Sequence, residues 1–244
     1  MQKTVLITGA SRGIGAETAR QFARAGYQTA INYFKSEEAA LALCAELRAE
    51  GFTVFPIQAD VSDPEQAVRM VDTVLEKFCQ LDILVCNAGI AQTKLLSDFT
   101  IEEWRRIFAV NVDGVFHCCR AVLPHFVHRK AGKILTVSSM WGQTGGSCEV
   151  PYSASKAAVI GFTKALAKEV GPSGITVNCV SPGVIQTEMN GNLTPRDLDA
   201  LREETPLERI GTPADVAAAL LFLASPAGDF FTGQVLAPNG GILI

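Results

Sequence analysis

A strand-like run, Thr4-Val5-Leu6-Ile7-Thr8, passes without a break into Gly9-Ala10-Ser11-Arg12-Gly13-Ile14-Gly15 and then into a helical pattern. Strand, glycine turn and helix entry in that order open a βαβ unit, which commits the chain to a parallel sheet covered by helices. Glycine at such a turn lets the backbone come close to a bulky neighbour. The helix N-terminus adds N–H groups and the positive end of its dipole, so the combination suits a pyrophosphate. Gly9, Ser11, Arg12, Gly13, Ile14 and Gly15 are therefore candidate cofactor-binding residues.

The alternation continues along the chain. Short apolar runs near 4–8, 28–33, 53–58, 83–86, 132–138, 176–181 and 234–237 are separated by longer amphipathic stretches. Seven such strands build one doubly wound parallel sheet with helices on both faces, an α/β Rossmann fold forming a single domain over 1–244. Ser62-Asp63-Pro64-Glu65 and Thr100-Ile101-Glu102-Glu103 read as capping boxes. Thr212-Pro213-Ala214-Asp215 places proline at a first helical position with a carboxylate following. Helices should therefore begin near residues 63, 101 and 213. The polar, turn-rich stretch 182–211 breaks the pattern and is a candidate substrate lid.

With 48% hydrophobic and 19% charged residues, the 244-residue chain can bury a full core. A net charge of −4 with no Lys/Arg run argues against nucleic acid or anionic membrane as the main partner. Met1-Gln2-Lys3 leads straight into the first strand, without a secretion signal, and no apolar stretch reaches the ~18 residues of a membrane span. A cytoplasmic location is expected. The seven cysteines, Cys44, Cys79, Cys86, Cys118, Cys119, Cys148 and Cys179, contain no C-x-x-C pair. His117, His125 and His128 lack partners at ligand spacing, so no metal site is expected.

Chemistry enters at Ser138-Ser139-Met140 and at Pro151-Tyr152-Ser153-Ala154-Ser155-Lys156. Tyr152 and Lys156 are four apart and share a helix face. A phenol ionises near pH ~10, and a neighbouring ammonium is expected to lower that value toward neutrality, making Tyr152 an acid-base group. Ser139 adds a hydroxyl able to hold a substrate oxygen. Catalysis therefore points to Ser139, Tyr152 and Lys156.

At the end of the second strand stands Asn32-Tyr33-Phe34-Lys35-Ser36, with no carboxylate for a ribose 2′-hydroxyl. Arg12 and Lys35 can neutralise a 2′-phosphate there, or serve only as solvated surface charges. The pattern favours NADPH over NADH. Asp60-Val61 and Asn87-Ala88-Gly89 follow the third and fourth strands, at the sheet edge where ligands lie, and Asp and Asn also belong to turns.

Thr8-Gly9-x-x-x-Gly13-x-Gly15, Asn87-Ala88-Gly89, Asn111, Ser139, Tyr152-x-x-x-Lys156 and Pro182-Gly183 together resemble the short-chain dehydrogenase/reductase family over essentially the whole chain. The resemblance implies that Tyr152 protonates the substrate oxygen while NADPH delivers hydride, that Lys156 contacts the nicotinamide ribose and tunes Tyr152, and that Ser139 orients the carbonyl. Asn111 would hold a water linking Lys156 to solvent. Asp60 and Val61 would flank the adenine, Asn32 and Tyr33 would border the cofactor, and Asn87, Ala88 and Gly89 would lie along it. Pro182, Gly183 and Thr187 would line the nicotinamide side.

Within the family the chain is similar to the 3-oxoacyl-acyl-carrier-protein reductases of fatty acid biosynthesis, which implies a thioester-borne ketone and a homotetramer. Arg129-Lys130 supplies one basic patch for a carrier protein, whereas Gly171-Pro172-Ser173-Gly174 supplies none, and Asn239 replaces the group's usual Asp. The loop from Trp141 to Val150 also resembles reductases acting on 5-aminopentanone-modified elongation factor P, whose ketone is joined to a protein amine. Trp141, Gln143 and Glu149 are the candidate substrate residues. Glu149 suits a cationic amine, or else faces solvent or caps the coming helix; Trp141 stacks on substrate or packs in the core. A non-catalytic dinucleotide sensor is the competing class, and it has no need for hydroxyl, phenol and ammonium together.

Overall fold

A computed structural model describes residues 2–188 and 194–243. Seven strands form one parallel sheet in the order β3-β2-β1-β4-β5-β6-β7: β1 (Thr4–Ile7), β2 (Gln28–Tyr33), β3 (Val54–Gln58), β4 (Ile83–Cys86), β5 (Gly132–Val137), β6 (Ile175–Val180) and β7 (Val235–Leu236). Each expected strand is present, within two residues of its expected ends. The order reverses between β1 and β4, where Val5 pairs with Ile83 and Ile7 with Val85. That reversal opens the crevice in which doubly wound sheets place ligands.

Alternating side chains feed two apolar layers. Leu6, Leu84 and Ile134 face α3 (Pro64–Phe78), α5 (Gly114–Arg129) and α7 (Val150–Val170), meeting Met70, Val122, Phe126 and Val159. Val5, Ile7, Val85 and Leu135 face α1 (Gly13–Arg24), α2 (Glu37–Ala49) and α9 (Pro213–Ala224), meeting Phe22, Leu43, Leu47 and Leu220. Fully burying one such side chain contributes about 1.5–3 kcal/mol, so the two layers fix the sheet that carries the site.

Thr100 forms a complete capping box with Glu103 at α4 (Ile101–Phe108), and Thr212 one with Asp215 at α9. At α3 the cap is Asp63, whose carboxylate accepts from the amides of Glu65 and Gln66. Ser62, expected to be the capping-box residue, instead donates its hydroxyl to Asp60 at 2.6 Å.

α4 and α5 form one run, Ile101–Arg129, long and apolar enough by length and composition to cross a membrane, contrary to the reading of the sequence. Its face bearing Val115, Cys118, Cys119, Val122 and Phe126 is buried against the sheet. A π-helical turn, Ala109–Asp113, interrupts it.

Beyond β6, Ile185 pairs with Gly211, and Thr194 caps α8 (Pro195–Glu204). Residues 189–193 of the expected lid lie outside the described residues. α6 (Trp141–Thr144) is a single turn after β5.

Candidate active site

At the mouth of the crevice the glycine turn is clamped from below. The Asn32 side chain is 2% exposed; its Oδ1 accepts from the Gly9 amide at 3.1 Å, and its Nδ2 donates to the carbonyls of Tyr33, Ile57 and Ala59. The Asn87 Nδ2 donates to the carbonyls of Thr8 and Gly9 at 2.9 and 3.0 Å. The Thr8 hydroxyl accepts from the amides of Asn87 and Ala88.

A Cβ on Gly9 would stand 2.8 Å from Ala88 Cα, and one on Gly15 would strike the Gly9 carbonyl. Contacts inside the protein therefore demand both glycines, before any ligand approaches. Gly13, at φ 55°, has room around it.

The other side of the turn is the N-terminus of α1. Arg12 takes the N-cap in extended conformation, and its side chain caps no amide. First-turn N–H groups without a protein cap fit a pyrophosphate. The side chains of Asn32 and Tyr33, expected beside the cofactor, are turned inward: Asn32 braces the turn, while Tyr33 is buried and donates to the Glu37 carboxylate at 3.1 Å. Lys35 is exposed, with Nζ 5.5 Å from the Phe34 ring centre, and Arg12 pairs with Glu188 at 3.1 Å.

Farther along, burial works against ionisation of Asp60, but the Ser62 hydroxyl and amide and the Arg106 guanidinium outweigh it and hold the carboxyl below its usual range. Val61 is buried and packs where a Cβ on Gly114 would sit.

The chemical set converges where β5 ends and α7 begins. Ser138 donates to the Lys156 carbonyl at 2.8 Å, tying that helix to the strand end that carries Ser139. A Cβ on Gly142 would stand 2.7 Å from Ser138 Oγ, so the joint needs glycine there. Lys156 is buried, its Nζ donating to the Val137 carbonyl at 2.9 Å and lying 5.7 Å from the Tyr152 ring centre. A Cβ on Gly89 would lie 3.2 Å from that same Nζ. Burial brings the Lys156 ammonium down to about 8, with Cys179 opposing the shift.

Tyr152 does not show the lowered pKa expected from Lys156. Burial pushes the phenol up to about 12; a hydrogen bond with Ser139 works downward, and the Glu149 carboxylate adds to the rise. The ammonium spends its bond on a carbonyl instead of the phenol oxygen, so desolvation dominates. Tyr152 is thus a neutral proton donor at pH 7.

Asn111 sits in the π turn, fully buried, with Oδ1 accepting from the Ile90 amide at 2.8 Å and Nδ2 donating to the Ile90 carbonyl and to Ser155 Oγ. Its side chain is committed to protein partners, joining the segment after Gly89 to α7. π turns gather at functional sites because they re-aim backbone groups within a helix.

Of the candidate substrate residues, Glu149 lies nearest the chemistry. Its carboxyl is pushed up by burial, against a hydrogen bond from Thr93, and it acts electrostatically on Tyr152. Trp141 and Gln143 line an open depression with Gly146, Val150, Ser153 and Ala157, positions around α7 from Tyr152 and Lys156. Gln143 donates to Ser181 Oγ at 2.8 Å, and the Trp141 indole packs against Gly146.

Pro182 accepts from the Met140 amide, the Gly183 amide donates to the Pro238 carbonyl, and Thr187 lies 3.6 Å from the position of a Cβ on Gly13. This brings the start of the 182–211 segment to the glycine turn. The bracing roles of Thr8, Ser138, Gly142 and Ser155 have no signal in the sequence beyond a polar residue or glycine at an element end.

The short chain dehydrogenase family profile matches residues 3–198. A 3-oxoacyl-[acyl-carrier-protein] reductase of Staphylococcus aureus is 40% identical over 242 residues, covering 99% of this chain and 98% of that one. A Synechocystis 3-oxoacyl-[acyl-carrier-protein] reductase is also 40% identical, over 99% and 97% of the two chains. An uncharacterized oxidoreductase of Bacillus subtilis is 37% identical, over 99% of each. A solved dehydrogenase/reductase from Sinorhizobium meliloti superposes with a TM-score of 0.93 at 36% identity, covering 99% of this chain and 95% of that one. The chain belongs to the short-chain dehydrogenase/reductase family. It is an oxidoreductase, and membership implies a nicotinamide dinucleotide.

Proposed function

We propose that the protein reduces a ketone to a secondary alcohol with NADPH. The observation that carries this reading is the Tyr152 phenol with the buried Lys156 ammonium 5.7 Å from its ring centre and buried Ser139 nearby, at the carboxyl edge of the sheet. The α1 N-terminus would hold the pyrophosphate, Arg12 and Lys35 the 2′-phosphate, Asp60 and Val61 the adenine end, and Pro182, Gly183 and Thr187 the nicotinamide end. When bound, the dinucleotide supplies hydride to the carbonyl carbon. Ser139 donates a hydrogen bond to the carbonyl oxygen and fixes its position. Tyr152 gives its proton to the oxygen as negative charge develops there, and its phenolate is then stabilised by the Lys156 ammonium. The described flank of the expected lid, 182–188, would border this site.

The 3-oxoacyl thioesters are the first substrate class, supported by the names and full coverage of the 40% identical relatives. The second is the 5-aminopentanone group on elongation factor P. Two observations favour it. The Glu149 carboxylate acts on Tyr152 with no Lys or Arg paired to it among the described residues, which suits an amine-bearing ketone. Arg129, expected to meet a carrier protein, is already held by Asp82 at 3.0 Å and by the Leu81 carbonyl. A reduced-nucleotide consumption assay with acetoacetyl-coenzyme A and with aminopentanone-bearing protein ranks the two. Turnover of the thioester supports the first class, silence with it and turnover of the aminoketone the second, and silence with every ketone contradicts the reading. Running NADPH and NADH side by side tests the cofactor assignment.

A further inference from the structure

Arg12 and Glu188 meet across the mouth of the cofactor crevice, Nη1 to Oε2 at 3.1 Å. The two come from opposite sides of it. Arg12 is the N-cap of α1 on the glycine turn. Glu188 follows a segment anchored stepwise to the body: the Gly183 amide donates to the Pro238 carbonyl, and the Gln186 amide to the Gly211 carbonyl at 2.8 Å. Thr187 then packs toward Gly13. Backbone anchoring therefore delivers the Glu188 carboxylate to the N-terminal end of α1, where an anionic ligand is most favoured.

The side chains of Arg12 and Glu188 are 63% and 71% exposed, and Glu188 is the one carboxylate paired with Arg12 among the described residues. A pair this exposed is weakly held and exchanges partners readily. A phosphate monoester carries more charge than a carboxylate and offers three acceptor oxygens, so it outbids one for a guanidinium.

We infer that Glu188 is a specificity-determining residue: it occupies Arg12 in the absence of nucleotide and competes with the 2′-phosphate for it, so it sets how strongly NADPH is preferred over NADH. This rests on the assignment of Arg12 to the 2′-phosphate made above. NADH, which lacks that group, leaves the pair in place. NADPH would take Arg12 away and release Glu188, and with it one tie between residues 182–188 and the glycine turn.

The test is equilibrium binding of NADPH and NADH to the full chain, by nucleotide fluorescence, for wild type, Glu188→Gln, Arg12→Ala and the double variant. Glu188→Gln should tighten NADPH by about two- to fivefold, the range an exposed ion pair supports, while NADH changes less. In the Arg12→Ala background the same substitution should have no selective effect on NADPH. An equal change for both nucleotides, or none, overturns the inference while Arg12→Ala still weakens NADPH selectively. If Arg12→Ala binds NADPH as wild type does, the assignment of Arg12 fails, and the inference falls with it.

Discussion

Lys156 holds its ammonium 5.7 Å from the centre of the Tyr152 ring while donating to the Val137 carbonyl at 2.9 Å. The two side chains share a helix face, yet they are not hydrogen-bonded to each other. Burial therefore moves their pKa values in opposite directions, the phenol up to about 12 and the ammonium down to about 8. One consequence is a proton donor that is fully loaded at neutral pH.

The second consequence concerns pH. Tyr152 stays protonated until about pH 12, so it places no limb near neutrality. Lys156 is charged below about pH 8 and loses its charge above it. Reduction that relies on the ammonium should therefore decline as pH rises through about 8. A profile of kcat/KM for ketone reduction over roughly pH 6 to 10 reads this directly; a flat line across that range contradicts it.

Gly15 and Gly13 should respond unequally to alanine. A Cβ at Gly15 meets the Gly9 carbonyl, Asn87 Nδ2 at 2.6 Å and Ala10 Cα at 2.8 Å, and backbone atoms have little room to yield. Gly15→Ala should cost about 1–3 kcal/mol as overpacking and should weaken dinucleotide binding. Gly13→Ala meets only Thr187 side-chain carbons beyond 3.5 Å, so its cost is that of a positive φ, about 1–2 kcal/mol. Urea denaturation and nucleotide titration of both variants compare them. Nucleotide affinity retained in Gly15→Ala would show that the clamp is dispensable.

Substitution of Glu149 should separate the two substrate classes. Replacing it with glutamine removes a charge that raises the Tyr152 pKa and, for an amine-bearing ketone, a counter-ion. Glu149→Gln should raise KM for the aminoketone about tenfold, or about 1.4 kcal/mol, and leave a thioester substrate nearly unaffected. Equal effects on both substrates would assign Glu149 to tuning Tyr152 alone.

Seven strands were legible because parallel strands, covered on both faces, leave short apolar runs, and the capping sequences at Thr100 and Thr212 carry their mechanism in four residues. At residue 62 the same rule misplaced the cap by one position, since Ser62 and Asp63 are both good caps and only the fold shows Ser62 engaged by Asp60.

Side-chain direction was the larger gap. The position of Asn32 and Tyr33 at a strand end does not say that one braces Gly9 and the other binds Glu37. The i, i+4 spacing of Tyr152 and Lys156 reports proximity, whereas their pKa values are governed first by desolvation, which the spacing does not reveal. The π turn at Asn111 lies inside a continuous apolar pattern, and the Arg12–Glu188 pair joins opposite ends of the fold. Neither leaves a local signature.

The most direct test is the rate of ketone-dependent NADPH oxidation by Tyr152→Phe beside wild type, with nucleotide binding measured on both. Loss of the phenolic proton alone should lower kcat by about 10²–10⁴-fold while NADPH affinity and unfolding midpoint stay close to wild type. A variant that keeps most of its rate would contradict Tyr152 as the proton donor.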